Sequence, residues 1–205
     1  MENTPDIPQD DGLQDNGGRS FASWRGQYLI ATPAMGDPRF ANTVIYLCGH
    51  DSSGAMGIVV NRSKMGLNMS DLLDHVGVDG RVTRTDSAVL EGGPVDVDRG
   101  FVLHSPDWFR KDSTLKVSET VGLTTTKDVL EALVSDDAPE RAVLAVGYAG
   151  WGPGQLESEF ADNAWLLCGG DEALVFSEDL DGKWAQALGR IGISPEQLSA
   201  FGGTA

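Results

Sequence analysis

The sequence predicts an α/β protein of the α+β type, built on a mixed, mostly antiparallel sheet. Three observations carry that expectation. Short β-branched and aromatic runs outnumber the segments with helical periodicity. Several runs are separated by too few residues to hold a crossover helix, which favours antiparallel neighbours. Strands and helices do not alternate regularly, so a doubly wound nucleotide fold is not expected.

The chain opens on acidic, apolar-poor material. Glu2, Asp6, Asp10, Asp11 and Asp15 are spaced by Gly, Pro, Gln and Asn, too little apolar surface to offset the entropy of ordering. Residues 1–22 are therefore expected to form a disordered acidic tail, and residues 23–205 a single domain. Gln27 to Thr32 reads as the first strand, stopped by Pro33, which cannot donate to a ladder. Thr43 to Cys48 and Met56 to Val60 read as a hairpin closed by the polar stretch Gly49 to Gly54, which carries His50, Asp51 and Ser52. Met69 to Val76 predicts a short helix with Gly77 closing its C-terminus.

Ala88 to Leu90, Gly100 to Leu103 and Thr114 to Val117 read as three further strands. Thr125 to Asp128 resembles a capping box, predicting a helix to about Asp136. Ala142 to Ala149 is an apolar strand, and Gln155 to Asn163 a helix that starts after Pro153, where the missing N–H is harmless. Ala164 to Cys168 and Ala173 to Phe176 are read as strands. Trp184, Leu188 and Ile191 mark one helical face, and Ser194-Pro-Glu-Gln197 starts a last helix.

Composition excludes several functions. With 15 Lys and Arg against 31 Asp and Glu, the net charge is −16. Such a surface repels phosphate backbones, so direct nucleic-acid binding is not expected unless Arg62, Arg81, Arg84, Arg99 and Arg110 converge. No window approaches the roughly 18 apolar residues of a membrane span, so no membrane association is expected. The N-terminus lacks a secretion signal, which predicts a cytoplasmic protein. Cys48 and Cys168 sit at the ends of apolar runs and read as buried thiols. The three histidines have no metal-ligand spacing, and no nucleotide, zinc-protease or hydrolase signature occurs. Neither a metal nor a cofactor is expected.

Two glycine-bearing segments hold the candidate site. In Gly147 to Gly154, four glycines and a proline fall within eight residues between a strand and a helix. Such a loop frees the backbone for positive φ or a close approach. In the second segment Gly92-Gly93-Pro94 turns the chain, and Glu91 and Arg99 lie on opposite sides of that turn. They are expected to pair across it, or Arg99 to anchor a carboxylate or phosphate. His104, at the end of a strand, is either a hydrogen-bonded structural residue or a catalytic base. Asn163 is expected to cap a helix or to reach a ligand. Trp151 and Trp165 either pack or stack on a ligand. The candidate ligand site is Glu91, Gly92, Gly93, Arg99, His104, Trp151, Gly154, Gln155 and Asn163, taking a small anionic ligand or a protein partner.

Gly26-Gln-Tyr-Leu-Ile-Ala-Thr-Pro33, Asp37-Pro-Arg-Phe40 with Asn42-Thr-Val-Ile-Tyr46, and His50 to Arg62 form a set of blocks in fixed order. Gly92-Gly-Pro94, Arg99-Gly-Phe-Val-Leu-His104, Gly147-Tyr-Ala-Gly-Trp151, Gly154-Gln-Leu-Glu157 and Asn163-Ala-Trp-Leu166 continue it. Together they resemble the YqgE/AlgH family of bacterial proteins, over about Trp24 to Phe201. The resemblance implies a compact α/β fold whose strongly bent sheets form a pseudo-barrel flanked by helices. Cys48-Gly49 stands where members often carry Cys-Glu. The resemblance brings no settled catalytic residues, and one member, AlgH, is described as a transcriptional regulator. Three functions are therefore carried forward: a ligand- or partner-binding regulatory protein, a transcriptional regulator, and a hydrolase using His104.

Overall fold

A computed structural model describes residues 22–80 and 88–201. Most of the acidic tail, together with Arg81 and Arg84, lies outside them. Among the described residues ten strands pair, eight in the order β10-β1-β2-β3-β9-β6-β8-β7, with β4 and β5 branching from β9. The mostly antiparallel sheet curls into a half-barrel flanked, among the described residues, by six α-helices, as the resemblance implies.

β1 (Tyr28–Ala31) lies between β10 (Trp165–Cys168) and β2 (Val44–Asp51), and β2 forms the expected hairpin with β3 (Gly54–Val59). All four residues of β1 are buried. Its alternate side chains enter different cores: Tyr28 and Ile30 pack with α5 (Lys183–Arg190), whereas Leu29 and Ala31 pack with α3 (Gln155–Ala161). Coverage on both faces explains why these strands read as continuous apolar runs rather than alternating ones. A third cluster joins α1 (Met69–His75) and α2 (Lys127–Leu133) to the other half of the sheet.

Several expectations are corrected. The short links joining β5 (Ala88–Glu91), β6 (Val95–His104) and β7 (Thr114–Lys116) do not make them antiparallel neighbours. The ten-residue β9 (Ala142–Trp151) takes β5 parallel on one edge and β6 antiparallel on the other, and β8 (Gly122–Thr124) separates β6 from β7. A long apolar strand with two open edges wins over local chain economy. Gly92 and Gly93 allow this, because the chain passes from one edge of β9 to the other directly against its backbone. A Cβ on Gly92 would sit 2.2 Å from the Gly147 carbonyl oxygen, and one on Gly93 2.2 Å from the Tyr148 carbonyl carbon.

Ala173 to Phe176 is not a strand but part of α4 (Glu172–Phe176). Asp171 decides it: its carboxylate accepts the Ala173 N–H at 2.9 Å and caps the helix, and so short an apolar run fits either geometry. β4 (Ser63–Asn68), largely exposed and in register with β5 at Ser63 and Asn68, carries only Met65 and Leu67 about a glycine, too short an apolar alternation to announce a strand. The α2 cap falls on Thr126, and its hydroxyl bonds Asp128 rather than a backbone N–H.

Candidate functional site

The glycine loop and α3 build a hollow. β9 ends at Trp151, and Gly154 adopts φ +71° to start α3. The Gln155 side-chain oxygen accepts the Gly152 N–H at 3.0 Å, which fixes the loop on the helix. At the other end Asn163 takes φ +59°. Its N–H reaches the Phe160 carbonyl at 3.0 Å, and the Ala164 N–H reaches that of Glu159 at 3.0 Å. This paired closure is a Schellman motif, with Asn in place of the usual Gly. The Asn163 carbonyl accepts the Thr32 hydroxyl at 2.7 Å, so Asn163 serves the backbone, as the capping expectation holds.

Between these ends Glu159 organises the floor. One carboxylate oxygen accepts the indole N–H of Trp151 at 2.9 Å and that of Trp165 at 2.8 Å. The other accepts the Gln155 amide at 2.9 Å. The two indoles meet edge to face at 6.0 Å. Around this floor, the 34–40 loop, Pro94-Val95, Gly150-Trp151 and α3 enclose about 470 Å³. That volume lies within the range of small-molecule sites.

The loop wall is fixed independently. Asp37 caps a 3-10 turn by accepting the Arg39 N–H at 2.9 Å, and pairs with the Arg39 guanidinium at 2.6 Å. That guanidinium holds the Asp37 carboxyl below the usual range. Arg62 donates to the backbone carbonyls of Arg39 and of Ala41, the latter at 2.7 Å, tying the loop to the end of β3.

The predicted residues divide. Trp151 and Gln155 line the hollow, while Gly154 and Asn163 set the two ends of its helix. Gly92 and Gly93 stand behind it, where they let the chain cross β9 and deliver Pro94 to its wall. Glu91 and Arg99 are not paired: register sets Glu91 and Gly100 beside the same residue, Val146, from opposite edges of β9. Arg99 instead donates to the Thr125 hydroxyl at 3.3 Å and stands 5.7 Å from the Phe101 ring centre. The arginine at the hollow is Arg39.

His104 is fully buried in the other half of the sheet. Nδ1 donates to the Ser105 carbonyl at 3.0 Å, so Nε2 is the acceptor for the Thr124 hydroxyl at 3.0 Å. Thr114 in turn donates to Thr124 at 2.8 Å, and accepts the Arg110 N–H at 3.2 Å. The hydrogens run one way along this chain, and burial lowers the His104 pKa. A hydrolase using His104 would need its imidazole open to a cleft, and full burial denies it that access.

His50 lies in β2 rather than in a polar turn, and is 6% exposed. Nδ1 accepts the Trp24 N–H at 2.9 Å, so Nε2–H meets Glu157 at 3.0 Å. The Trp24 indole stacks on the imidazole at 4.8 Å. His50 thus fastens the segment leading into the domain.

Sequence reasoning missed Glu159, Asp37 and Arg39. Glu159 carried a usable signal: it follows Gln155 by four residues on one helix face. The 34–40 loop approaches the hollow only through the long-range pairing of β1 with β10. The described arginines do not converge, since Arg110 pairs with Asp137 at 2.6 Å and Arg62 serves the 39–41 backbone. Among the described residues no cluster of three or more His, Cys, Asp or Glu could hold a metal ion, and no helix is long and apolar enough to cross a membrane.

A family model described as AlgH-like matches residues 28–196. A UPF0301 protein of Caulobacter vibrioides is 49% identical over 181 residues, covering 88% of this chain and 93% of the relative. One of Rhodopseudomonas palustris is 50% identical over 187 residues, covering 88% and 86%. The solution structure of AlgH from Pseudomonas aeruginosa superposes with a TM-score of 0.72 at 39% identity, covering 91% of this chain and 98% of that one. A crystal structure of a Corynebacterium diphtheriae protein shares the fold at a TM-score of 0.70 and 18% identity, covering 88% and 93%. The chain belongs to the AlgH-like family.

Proposed function

We propose that this member of the AlgH-like family is a cytoplasmic binding protein of regulatory type, acting through the hollow between the 34–40 loop and α3. The observation that carries the reading is the preset floor: three N–H donors hold Glu159 against two indoles at the bottom of an open cavity of about 470 Å³. Groups fixed before the ligand arrives lose little entropy when it binds.

A regulatory role on DNA is not favoured. The net charge of −16 opposes a polyanion, and the described arginines serve separate local contacts. Regulation through a bound ligand or protein fits the same surface without that penalty.

The test is a thermal-shift screen of metabolites and short peptides, on the wild type and on Ala34→Trp. Ala34 is exposed on the rim of the hollow, so a large ring there obstructs the cavity without disturbing the core. A ligand at 100 times its Kd adds about 2.7 kcal/mol of apparent stability. The proposal expects hits that raise the wild-type midpoint and lose their effect in the variant. Hits that act equally on both proteins, or no hit at all, would overturn it.

A further inference from the structure

We propose that the hollow takes a positively charged group, a guanidinium or ammonium on an apolar stem; the inference rests on the binding role proposed above. Three carboxylates line the hollow, Asp37, Glu159 and Asp162, against one cation, Arg39. Arg39 is already engaged, with contacts of 2.6 to 3.1 Å from its guanidinium to both Asp37 oxygens. That pair is neutral as a unit and brings no net positive charge to the hollow.

Glu159 and Asp162 remain unbalanced. No ion pair among the described residues includes either of them. The donors that hold Glu159 are two indoles and an amide, all neutral, so they orient its charge without cancelling it. A carboxylate offers about four acceptor directions, of which these donors fill three. One direction, on the oxygen shared with Gln155, stays available to a ligand. Met35, Phe40, Pro94 and Trp151 supply apolar wall for the stem. A carboxylate or phosphate entering the same space would face two uncompensated negative charges, within a chain whose overall charge already repels it. The anionic ligand expected from Arg99 is thereby replaced by a cation.

The full chain, labelled with ¹⁵N, is titrated separately with agmatine, with acetyl-Gly-Arg-Gly-amide and with succinate. The readout is the indole N–H signals of Trp151 and Trp165, both of which donate to Glu159. The proposal expects at least one cation to move both signals and succinate to leave them in place. Binding of either cation supports it, and the tighter of the two tells whether a free amine or a basic side chain of a polypeptide is the natural source. Asp162→Asn should weaken that binding about two- to five-fold, the scale of an exposed charge pair, with the thermal midpoint unchanged. Signals moved by succinate but by neither cation would overturn the charge assignment and leave the hollow as a binding site. Silence from all three probes, while hits of the thermal screen still depend on Ala34, would again overturn the cation alone. Silence here together with a flat thermal screen would overturn both proposals.

Discussion

At the scale of single residues, two buried side chains make the fold sensitive to pH in ways that can be measured. His104 is neutral by construction: its Nε2 must accept from Thr124, whose hydroxyl is committed by the Thr114 and Arg110 donors behind it. The unfolded chain takes up the proton near pH 6.5, whereas burial lowers the folded-state pKa. Between the two values the unfolded state binds more protons, so stability must fall as pH drops below about 6.5. Nearby Asp107 and Asp128 oppose that lowering in part. Urea midpoints taken from pH 7.5 down to 5 should show the loss. In His104→Gln the part due to this residue should disappear, at a cost of about 1–3 kcal/mol at pH 7.5 from the broken chain. An unchanged pH profile would contradict the neutral state assigned to the buried His104.

Lys183 gives the complementary case. It is fully buried, donating to the carbonyls of Val60 at 2.8 Å and Val175 at 3.1 Å, and burial pulls its pKa from 10.5 to about 8. Above pH 8 the folded protein sheds this proton while the unfolded chain keeps it, so stability linked to Lys183 rises from pH 8 toward 10.5. Lys183→Met should lack that rise, so that wild type minus variant keeps a positive slope from pH 8 toward 10.5; a difference profile without slope across this window would refute the shift. The thiol of Cys48, also fully buried and pushed well above its ordinary value, should react with iodoacetamide only as fast as the domain opens.

At the scale of elements, what was legible in the sequence was whatever local chemistry decides. The Met69–His75 helix with Gly77 at φ +68° behind it, and the start of α6 (Pro195–Phe201), where the Ser194 N–H meets the Gln197 side chain at 2.7 Å, follow from caps that lie within a few residues. Ala173 to Phe176 failed for the same reason that others succeeded, since its cap, Asp171, was not weighed against a short apolar run. Pairing partners were not legible, because the edge of β9 that β5 chooses is set by packing far along the chain. The crossing at Gly92-Gly93 is the element on which that choice depends. Gly93 has φ +151°, and any Cβ there meets the Tyr148 backbone at 2.2 Å. Gly93→Ala should therefore cost about 3 kcal/mol or more, since backbone on both sides prevents relaxation. Asn163, by contrast, is in the left-handed region with its side chain out of the backbone closure. Asn163→Gly should be neutral within about 0.5 kcal/mol, while Asn163→Val should lose about 1–2 kcal/mol through its branched Cβ. Equal midpoints for the two variants would show that the α3 closure is not held by this conformation.

At the scale of the whole molecule, the curled sheet separates two sets of residues that the sequence grouped into one site. Trp151, Gly154, Gln155 and Asn163 belong to the α3 end of β9, where the 34–40 loop joins them. His104 pairs with Ala142 at the opposite end of the same strand, and Arg99 lies between, against Phe101 and Thr125. Proximity in the chain suggested one pocket, but β9 is ten residues long, roughly 33 Å at full extension, so its ends serve different surfaces. The charge sign of the chain was legible from composition. Its local consequence at the hollow was not, because it depends on which carboxylates the fold leaves without a cation.

The most direct measurement is a ¹H–¹⁵N perturbation map of the full chain with the compound that stabilises it most. Shifts are expected only at residues 34–40, 94–95 and 150–164, with the sheet around His104 and Thr124 silent. Shifts centred instead on the exposed Met65 and Val97, or on the β6–β8 half, would place binding elsewhere and contradict it.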